Sequence, residues 1–285
     1  MRLVLFGSIM ATLVGCASTP MAPRDARAED ANVAPSHDEL IRQDVSATLT
    51  AAQPVVVDNP YGDVRLRFGG YKDELEIHAV AQKPDKASSI VLQPGSIDGT
   101  YRIAPRLPRD TLIVEGQRLD LVVFVPLGHS VNVRTERGVI ESRGIRAAID
   151  LRSTSGNIAI RGTQGEVHAE TGPGTIEASL LHAAPGSHQR IATSTGSIVL
   201  AVSDDLDARV QMSTSALFAT EYSVQIERLT GQEPNKRAIA LIGEQKSELL
   251  VESRRGEIRL QRWTGFTTAD GRPVEEDEDA DTDSD

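Results

Sequence analysis

The chain has 285 residues and a formal net charge of -11. An acidic chain without a basic, aromatic-rich stretch argues against nucleic acid as a partner. Cys16 is the only cysteine, so an internal disulfide is excluded and packing must carry the stability of the fold. Aromatic residues make up 4% of the chain, which favours a thin core of Ile, Val, Leu and Ala.

Residues 1–16 have the order of a bacterial export signal. Arg2 supplies a positive charge, and the apolar stretch 3–13 is too short to span a membrane as a helix. The Leu-Val-Gly-Cys sequence at 13–16 resembles a bacterial lipobox, whose cysteine is acylated and becomes the mature N-terminus. We therefore predict a signal peptide over 1–15 and lipid attachment at Cys16. The small residues that follow imply sorting to the outer membrane. The alternative is an ordinary secretory signal with an incidental cysteine.

Residues 16–43 are rich in Ala, Pro, Asp and Arg and show no periodicity. This composition does not supply enough apolar surface for a core, and it predicts a flexible tether after the lipidated cysteine. The tether would hold a folded domain, predicted over 44–266, above the surface of the membrane.

The stretch 120–179 repeats an apolar pair every nine residues. Polar side chains lie between the paired positions, and alternation at period two predicts strands with one buried and one exposed face. Such strands must stack on equal neighbours. We therefore predict an all-β fold, a single-domain parallel β-solenoid with two short strands in each coil of about 18 residues. A hairpin array would favour Asn-Gly or Asp-Gly turns, and this stretch has neither. The pairs are Val122/Phe124, Val131/Val133, Ile149/Leu151, Ile158/Ile160, Val167/Ala169 and Ile176/Ala178.

Glycines mark the turns of this repeat. Gly138, Gly156, Gly165 and Gly174 each precede an apolar Ile or Val by two residues. We predict tight turns in which these glycines adopt a positive φ, a conformation that other residues avoid.

The nine-residue interval returns near both ends of the predicted domain, between 55 and 64 and between 249 and 258. Trp263 and Phe266 follow the last strand, and we predict that they cap the final coil. Residues 83–118 are irregular and are predicted to form a looped insertion or longer β coils, with strands at 90–92, 101–103 and 112–114. The tail 267–285, with eight carboxylates from 275 onward, is predicted to be a disordered acidic segment.

Three segments carry a resemblance to a known family: 120–128, 131–140 and the Ser-Thr-Ser-Gly-Asn-Ile sequence at 153–158. Repeats of the form Thr/Ser-x-x-Gly-x-Ile/Val resemble those of the bacterial "putative adhesin" family of unknown function, over residues 44–262. The resemblance implies an envelope-facing β-solenoid with an adhesin-like role. It brings no established catalytic residues.

Four arginines, Arg134, Arg143, Arg152 and Arg161, lie nine residues apart on the predicted outer face. With two strands per coil, Arg134 and Arg152 stack on one sheet and Arg143 and Arg161 on the other, about 4.8 Å apart. Two interpretations remain open. The arginines form a basic strip for an anionic glycan or phospholipid, or they form a solvated ladder compensated by acidic neighbours. The acidic residues within reach are Glu141, Asp150, Glu166 and Glu170.

An enzymatic interpretation rests on Glu141 and Glu177, which the repeat places two coils apart on one sheet, about 9.6 Å from each other. That separation is near the upper end for an inverting glycosidase pair. Ala159 lies between them, however, and no cleft is predicted. The six histidines show no metal-ligand spacing, and no cofactor motif is present. We predict no catalysis, no cofactor and no metal site.

The favoured hypothesis is a lipid-anchored envelope protein whose rigid body presents a surface to an envelope protein or glycan, without catalysis. One alternative is an envelope-stress or signalling component that docks another protein. Another is a polysaccharide-processing β-helix enzyme, which the scarcity of aromatic residues for sugar subsites disfavours.

Overall fold

The computed structural model of the protein describes residues 38–108 and 113–265. The predicted signal peptide, Cys16, nearly all of the tether and the acidic tail lie outside the described residues. Within them, the regular structure consists of 21 β-strands and one 3-10 helix, Asp204–Leu206. No described helix is long and apolar enough to cross a membrane. The first strand begins at Glu39, five residues before the start predicted for the domain.

The prediction of an all-β fold is confirmed in part, because the described residues are almost all β. The strands are β1 (Glu39–Thr48), β2 (Val55–Asp58), β3 (Val64–Phe68), β4 (Glu74–Lys83), β5 (Val91–Ile97), β6 (Thr100–Arg106), β7 (Arg118–Val125), β8 (Val131–Thr135), β9 (Ile140–Arg143), β10 (Ile149–Ser153), β11 (Ile158–Thr163), β12 (Val167–Thr171), β13 (Ile176–Leu180), β14 (His188–Thr193), β15 (Ile198–Val202), β16 (Ala208–Thr214), β17 (Phe218–Thr220), β18 (Val224–Arg228), β19 (Lys236–Leu241), β20 (Ser247–Ser253) and β21 (Ile258–Arg262).

These strands form two sheets that face each other across one hydrophobic core. Sheet A has ten strands in the order β1-β4-β7-β3-β9-β11-β13-β15-β21-β17. Sheet B has eleven strands in the order β18-β19-β16-β20-β14-β12-β10-β8-β2-β6-β5. Both sheets are mixed: antiparallel strands lie at the β1 end of sheet A and at both ends of sheet B, and the other neighbours are parallel.

The central strands pair in parallel at the predicted interval. In sheet B, Ile149 of β10 faces Val131 of β8 and Val167 of β12, each 18 residues away. In sheet A, β11 pairs with β9 and β13 at the same interval. Each of these sheet B strands leads through a short turn to the next strand of sheet A, so the central chain winds in coils of two strands.

Antiparallel strands extend both sheets, so the prediction of a wholly parallel solenoid is not confirmed. β4 runs antiparallel to both β1 and β7, and β5 runs antiparallel to β6. At the other end, β19 is antiparallel to β16 and β18. For β5 and β6 the physical reason is the length of the connection. A turn as short as Asp98-Gly99 joins only antiparallel neighbours, because a parallel pair needs a long crossover.

The coils are stacked in an order that differs from their order in the chain. Val55 of β2 faces Val131 of β8 across 76 residues, and β4 to β7 lie beyond the coil that β2 and β3 form. β20 lies between β14 and β16, and β21 lies between β15 and β17. Trp263, whose backbone N–H donates to the Val202 carbonyl at 2.8 Å, therefore follows an internal coil. The predicted cap over a final coil is wrong for Trp263, and Phe266 lies outside the described residues.

The predicted register is wrong by one residue in β7. Leu121 and Val123 are buried, whereas Val122 and Phe124 face outward. Every residue from 121 to 125 is apolar, so the sequence has no alternation there that selects the buried face.

The glycines of the repeat are required by close approach of the chain. None of Gly138, Gly156, Gly165 and Gly174 has a positive φ, so that prediction is wrong. A Cβ placed on Gly156 would lie 2.0 Å from the Gly138 carbonyl oxygen, and one placed on Gly174 would lie 2.2 Å from that of Gly156. Glycine allows each turn to lie directly on the preceding one.

Buried hydroxyls join the same turns and account for the Thr/Ser-x-x-Gly pattern. The Ser153 hydroxyl accepts a hydrogen bond from the Gly156 N–H at 2.8 Å. The Thr171 hydroxyl, one coil further, donates to the Gly156 carbonyl at 2.7 Å. The polar residue and the glycine together connect successive coils along this edge of the stack, so the motif specifies architecture.

The irregular region 83–118 is also β structure. The strands predicted at 90–92 and 101–103 correspond to β5 and β6, a hairpin that extends sheet B beyond β2. The strand predicted at 112–114 is wrong for Ile113 and Val114, which belong to no strand. Residue 112 lies outside the described residues.

Candidate functional site

Three arginines lie side by side on the outer face of sheet A. Arg143 of β9 is in register with Arg67 of β3 on one side and with Arg161 of β11 on the other. The strand spacing places neighbouring members about 4.8 Å apart. We call Arg67, Arg143 and Arg161 the arginine row. The predicted stacking of Arg143 on Arg161 is found, and Arg67 extends it to three.

Two members of the arginine row lack a partner among the described residues. Arg67 Nη2 donates to Glu141 Oε1 at 2.9 Å, and Arg65 Nε lies 3.8 Å from the same carboxylate. Arg143 and Arg161 are exposed and form no side-chain hydrogen bond or ion pair within 38–108 and 113–265. At the strand spacing, two like charges repel by about 0.9 kcal/mol in water. Arg143 and Arg161 therefore carry positive charge without an ion pair among the described residues, whereas the charge of Arg67 is offset by Glu141.

An aromatic–cation cluster of Phe68, Tyr71 and Arg146 adjoins the row. The Arg146 guanidinium lies 4.9 Å from the centroid of the Phe68 ring and 5.7 Å from that of Tyr71. It also donates a hydrogen bond to the Tyr71 hydroxyl at 2.9 Å. Tyr71 is nonetheless 72% exposed. A ring and a guanidinium thus face solvent at the end of the strands that carry the row, and such surfaces combine stacking with charge recognition.

The second predicted pair, Arg134 and Arg152, lies in register on sheet B, and the charge of Arg152 is offset. Arg152 donates to the two carboxylate oxygens of Asp150 at 2.9 and 3.0 Å. These bonds raise the pKa of Arg152. Glu170 is in register with Arg152, and Asp58 with Arg134. Arg152 is therefore compensated by an ion pair and Arg134 has Asp58 in register, whereas Arg143 and Arg161 have neither an ion pair nor an acidic residue in register among the described residues.

Glu141 and Glu177 do lie on one sheet with Ala159 between them, as the repeat predicts. The Glu141 carboxylate is held by the guanidinium of Arg67, and Glu177 is exposed on the open face of β13. Neither residue lines the main cavities of the described chain.

The histidines do not form a metal site among the described residues. His129 is 1% exposed, with Nδ1 2.9 Å from the Gln53 carbonyl and Nε2 3.3 Å from an Asp73 carboxylate oxygen. Its role is to join two loops. Within 38–108 and 113–265, no group of three His, Cys, Asp or Glu residues could hold a metal ion.

Sequence reasoning missed Arg67, Tyr71 and Arg146. The 76 residues from Arg67 to Arg143 are not a multiple of nine, so no repeat connects them. The available signal was Tyr71, because it follows Gly69-Gly70 in a chain that is poor in aromatic residues.

No family model matches the chain, and no curated protein is significantly similar to it. Among solved structures, it is similar to a "putative cell adhesion protein" from Clostridium sporogenes, at 11% identity and a TM-score of 0.46, over 79% of this chain and 100% of the other. A "putative adhesin" from Bacteroides fragilis matches at 12% identity and 0.36, over 79% and 97%. A "putative lipid binding protein" from Parabacteroides distasonis matches at 11% and 0.28, over 78% and 97%. At these values the function has to be argued from the chain's own residues.

Proposed function

We propose that this chain is a lipid-anchored, non-catalytic binding module of the bacterial cell envelope that holds an anionic glycan on the arginine row of sheet A. The stacked coils act as a rigid β-solenoid that presents the row, and Cys16 attaches the protein to the outer membrane. The observation that carries the proposal is the register of Arg143 with Arg161 on an exposed face, where neither has an acidic partner among the described residues.

A linear polyanion suits the geometry of the row. Its members follow one another at the strand spacing of about 4.8 Å, so a glycan with regularly spaced carboxylates meets a guanidinium at successive steps. The planar guanidinium binds a carboxylate through two parallel hydrogen bonds. The exposed ring of Tyr71 supplies an apolar surface on which a sugar ring stacks. Charge and stacking together favour an acidic glycan over a neutral one.

The lipid anchor depends on one side chain. We expect Cys16→Ser to abolish incorporation of radioactive palmitate and to move the protein from the membrane fraction to the soluble fraction, because acyl chains cannot be attached to that position. Ser18→Ala, two residues away, is the control and leaves both properties unchanged. Palmitate labelling that persists in Cys16→Ser would contradict the anchor.

Binding by the row is tested with polygalacturonate, a linear carboxylated glycan, and with neutral dextran as the control ligand. We expect Arg143→Gln/Arg161→Gln to weaken polygalacturonate binding about tenfold, since two exposed ion pairs at up to about 1 kcal/mol each are lost. Binding is measured by isothermal titration calorimetry at low salt and again at 0.5 M salt, where it weakens because the row is exposed.

The matched control is Arg134→Gln/Arg152→Gln, which removes the same charge from sheet B and leaves the affinity within twofold. Equal losses in the two double variants would show a general charge effect and contradict the site. The eight carboxylates of 275–285 repel any anionic probe, so the titration is repeated in a neutral-tail variant with Gln or Asn at all eight positions. Absence of binding in both backgrounds would contradict the proposed function.

A further inference from the structure

The last strand of sheet A in the chain, β21, carries a residue that is in register with the arginine row. Arg161 is followed in register by one residue each of β13 and β15, and then by Gln261 of β21. Three strand spacings put Gln261 about 14 Å from Arg161, and four put it about 19 Å from Arg143. The strands from β3 through β21 run parallel in this part of the sheet. The chain therefore leaves at the same edge as the aromatic–cation cluster.

The acidic segment is close enough in sequence to reach the row. Thirteen residues lead from Arg262 to Glu275, the first of the eight carboxylates of 275–285. A chain of that length spans up to about 43 Å, which is about three times the distance from Gln261 to Arg161. The remaining carboxylates follow within ten residues, so the segment is long enough to reach both Arg161 and Arg143.

Charge directs the segment to this surface. Residues 275–285 contain eight carboxylates and no Lys or Arg, whereas Arg143 and Arg161 have no acidic partner among the described residues. The arginines of β21 are already paired, Arg259 with Glu257 and Arg262 with Asp204. The arginines nearest the exit of the chain are therefore already in ion pairs, whereas Arg143 and Arg161, within reach of the segment, are not.

We propose that residues 275–285 occupy the arginine row of their own chain and compete there with the anionic glycan. The competition rests on the proposed function, whereas the occupancy does not. A tethered segment has an effective concentration in the millimolar range, so contacts that are too weak to hold a separate acidic peptide still hold this one. Arg143 and Arg161 are exposed, so salt weakens their contact with the acidic segment. The Debye length is about 8 Å at physiological ionic strength, and it shortens as salt is added. A glycan binds when its affinity exceeds this internal competitor.

Disulfide trapping in the full chain tests the occupancy. Cys16 is the only cysteine, so Cys16→Ser provides a cysteine-free background for two new cysteines. One pair is Ser284→Cys with Glu177→Cys, on β13 next to the row. The matched pair is Ser284→Cys with Glu170→Cys, on β12 of the same coil but on the opposite sheet. Both glutamates are exposed. The rate of disulfide formation is followed by non-reducing gel shift in dilute protein.

We expect the Glu177→Cys pair to oxidise at least ten times faster than the Glu170→Cys pair, and 0.5 M salt to slow it. Because the exit point alone favours sheet A, the decisive comparison adds Arg143→Gln/Arg161→Gln to the Glu177→Cys pair, which lowers its rate at least fivefold. An unchanged rate in that background would overturn the proposal. Disulfide-linked dimers in place of an internal bond would also overturn it, because the occupant would then be a second copy.

The glycan arm separates the two proposals. Closing the trap is expected to reduce polygalacturonate binding at least tenfold, and reduction of the disulfide restores it. Arginine-dependent trapping without glycan binding in either state would support the tail contact and overturn the proposed function. Glycan binding at the row together with arginine-independent trapping would support the proposed function and overturn the tail contact.

Discussion

Replacing Gly156 with alanine destabilises the protein by about 3 kcal/mol, the upper range for forcing extra volume into a packed site. The new Cβ would lie 2.0 Å from the Gly138 carbonyl oxygen and 2.8 Å from the Ser153 hydroxyl. The first contact is with the backbone of the preceding turn, so no side-chain rotation relieves it. At about 3 °C per kcal/mol for a chain of this size, the expected fall in Tm is about 9 °C by differential scanning calorimetry.

The matched control is Gly95→Ala in β5. Gly95 has no positive φ, and a Cβ there meets no atom within 4 Å. The unfolded chain loses conformational freedom on this substitution, so we expect Tm to stay equal or to rise slightly. A Gly156→Ala variant as stable as Gly95→Ala would mean that the turns are not in contact. Opposite effects of one chemical change at two glycines would establish close approach as the role of Gly156.

The coils between β8 and β13 were predictable because their pattern is local. The nine-residue interval specifies which residues face inward, and two such intervals specify the partner strand, as in the pairing of Ile149 with Val131 and Val167. The pattern fails at β7, where all residues from 121 to 125 are apolar and period two is lost. Register is thus readable from the sequence only where polar residues alternate with apolar ones.

The stacking order was not predictable, because a strand with one apolar face fits any equal neighbour. β20 follows β16 in the chain but lies between β14 and β16, and all three strands bury alternate side chains. The choice depends on loop lengths and on the antiparallel strands at each end, neither of which appears in the repeat. The predicted aromatic cap failed for this reason, since the last repeat in the chain is an internal coil.

The candidate site was half predictable. Arg143 and Arg161 belong to one repeat and were assigned to one sheet, but the sequence does not distinguish their charge balance from that of Arg134 and Arg152. The distinction lies in the partner that the carboxylate two residues earlier selects. Asp150 bonds to Arg152 on its own strand, whereas Glu141, two residues before Arg143, bonds to Arg67 on the neighbouring strand. Arg67 reaches the row only because a long excursion of the chain brings β3 against β9.

The fold separates its two edges by role. Along the edge where sheet B leads into sheet A, Gly156, Ser153 and their equivalents hold successive turns in contact, so little variation is compatible with stacking. Along the other edge the connections differ in length: 144–148, 164–166 and 181–187. The aromatic–cation cluster lies on this second edge. The turns around Gly156 and Ser153 hold successive coils at a constant spacing. The arginine row repeats at that spacing on the outer face of sheet A, next to the connections of variable length.

Ile158→Asp has the largest effect that we expect on stability, a loss of more than about 4 kcal/mol. Ile158 is 1% exposed and stacks between Ile140 of β9 and Ile176 of β13. The substitution removes an aliphatic side chain from the core and places a carboxylate there without a partner. Because each coil contacts only its neighbours, the substitution disrupts the packing between the central coils and so the contact between the two halves of the stack.

The control for Ile158→Asp is Asn157→Asp, which adds the same charge one residue earlier. Asn157 is exposed, and its side-chain oxygen accepts a hydrogen bond from the Thr175 N–H at 2.9 Å, a role that a carboxylate keeps. We expect Asn157→Asp to change the free energy of unfolding by less than about 0.5 kcal/mol, whereas Ile158→Asp abolishes cooperative melting or lowers Tm by about 12 °C or more. Similar urea midpoints for the two variants would contradict the register of β11, because one residue must face the core and its neighbour must face water.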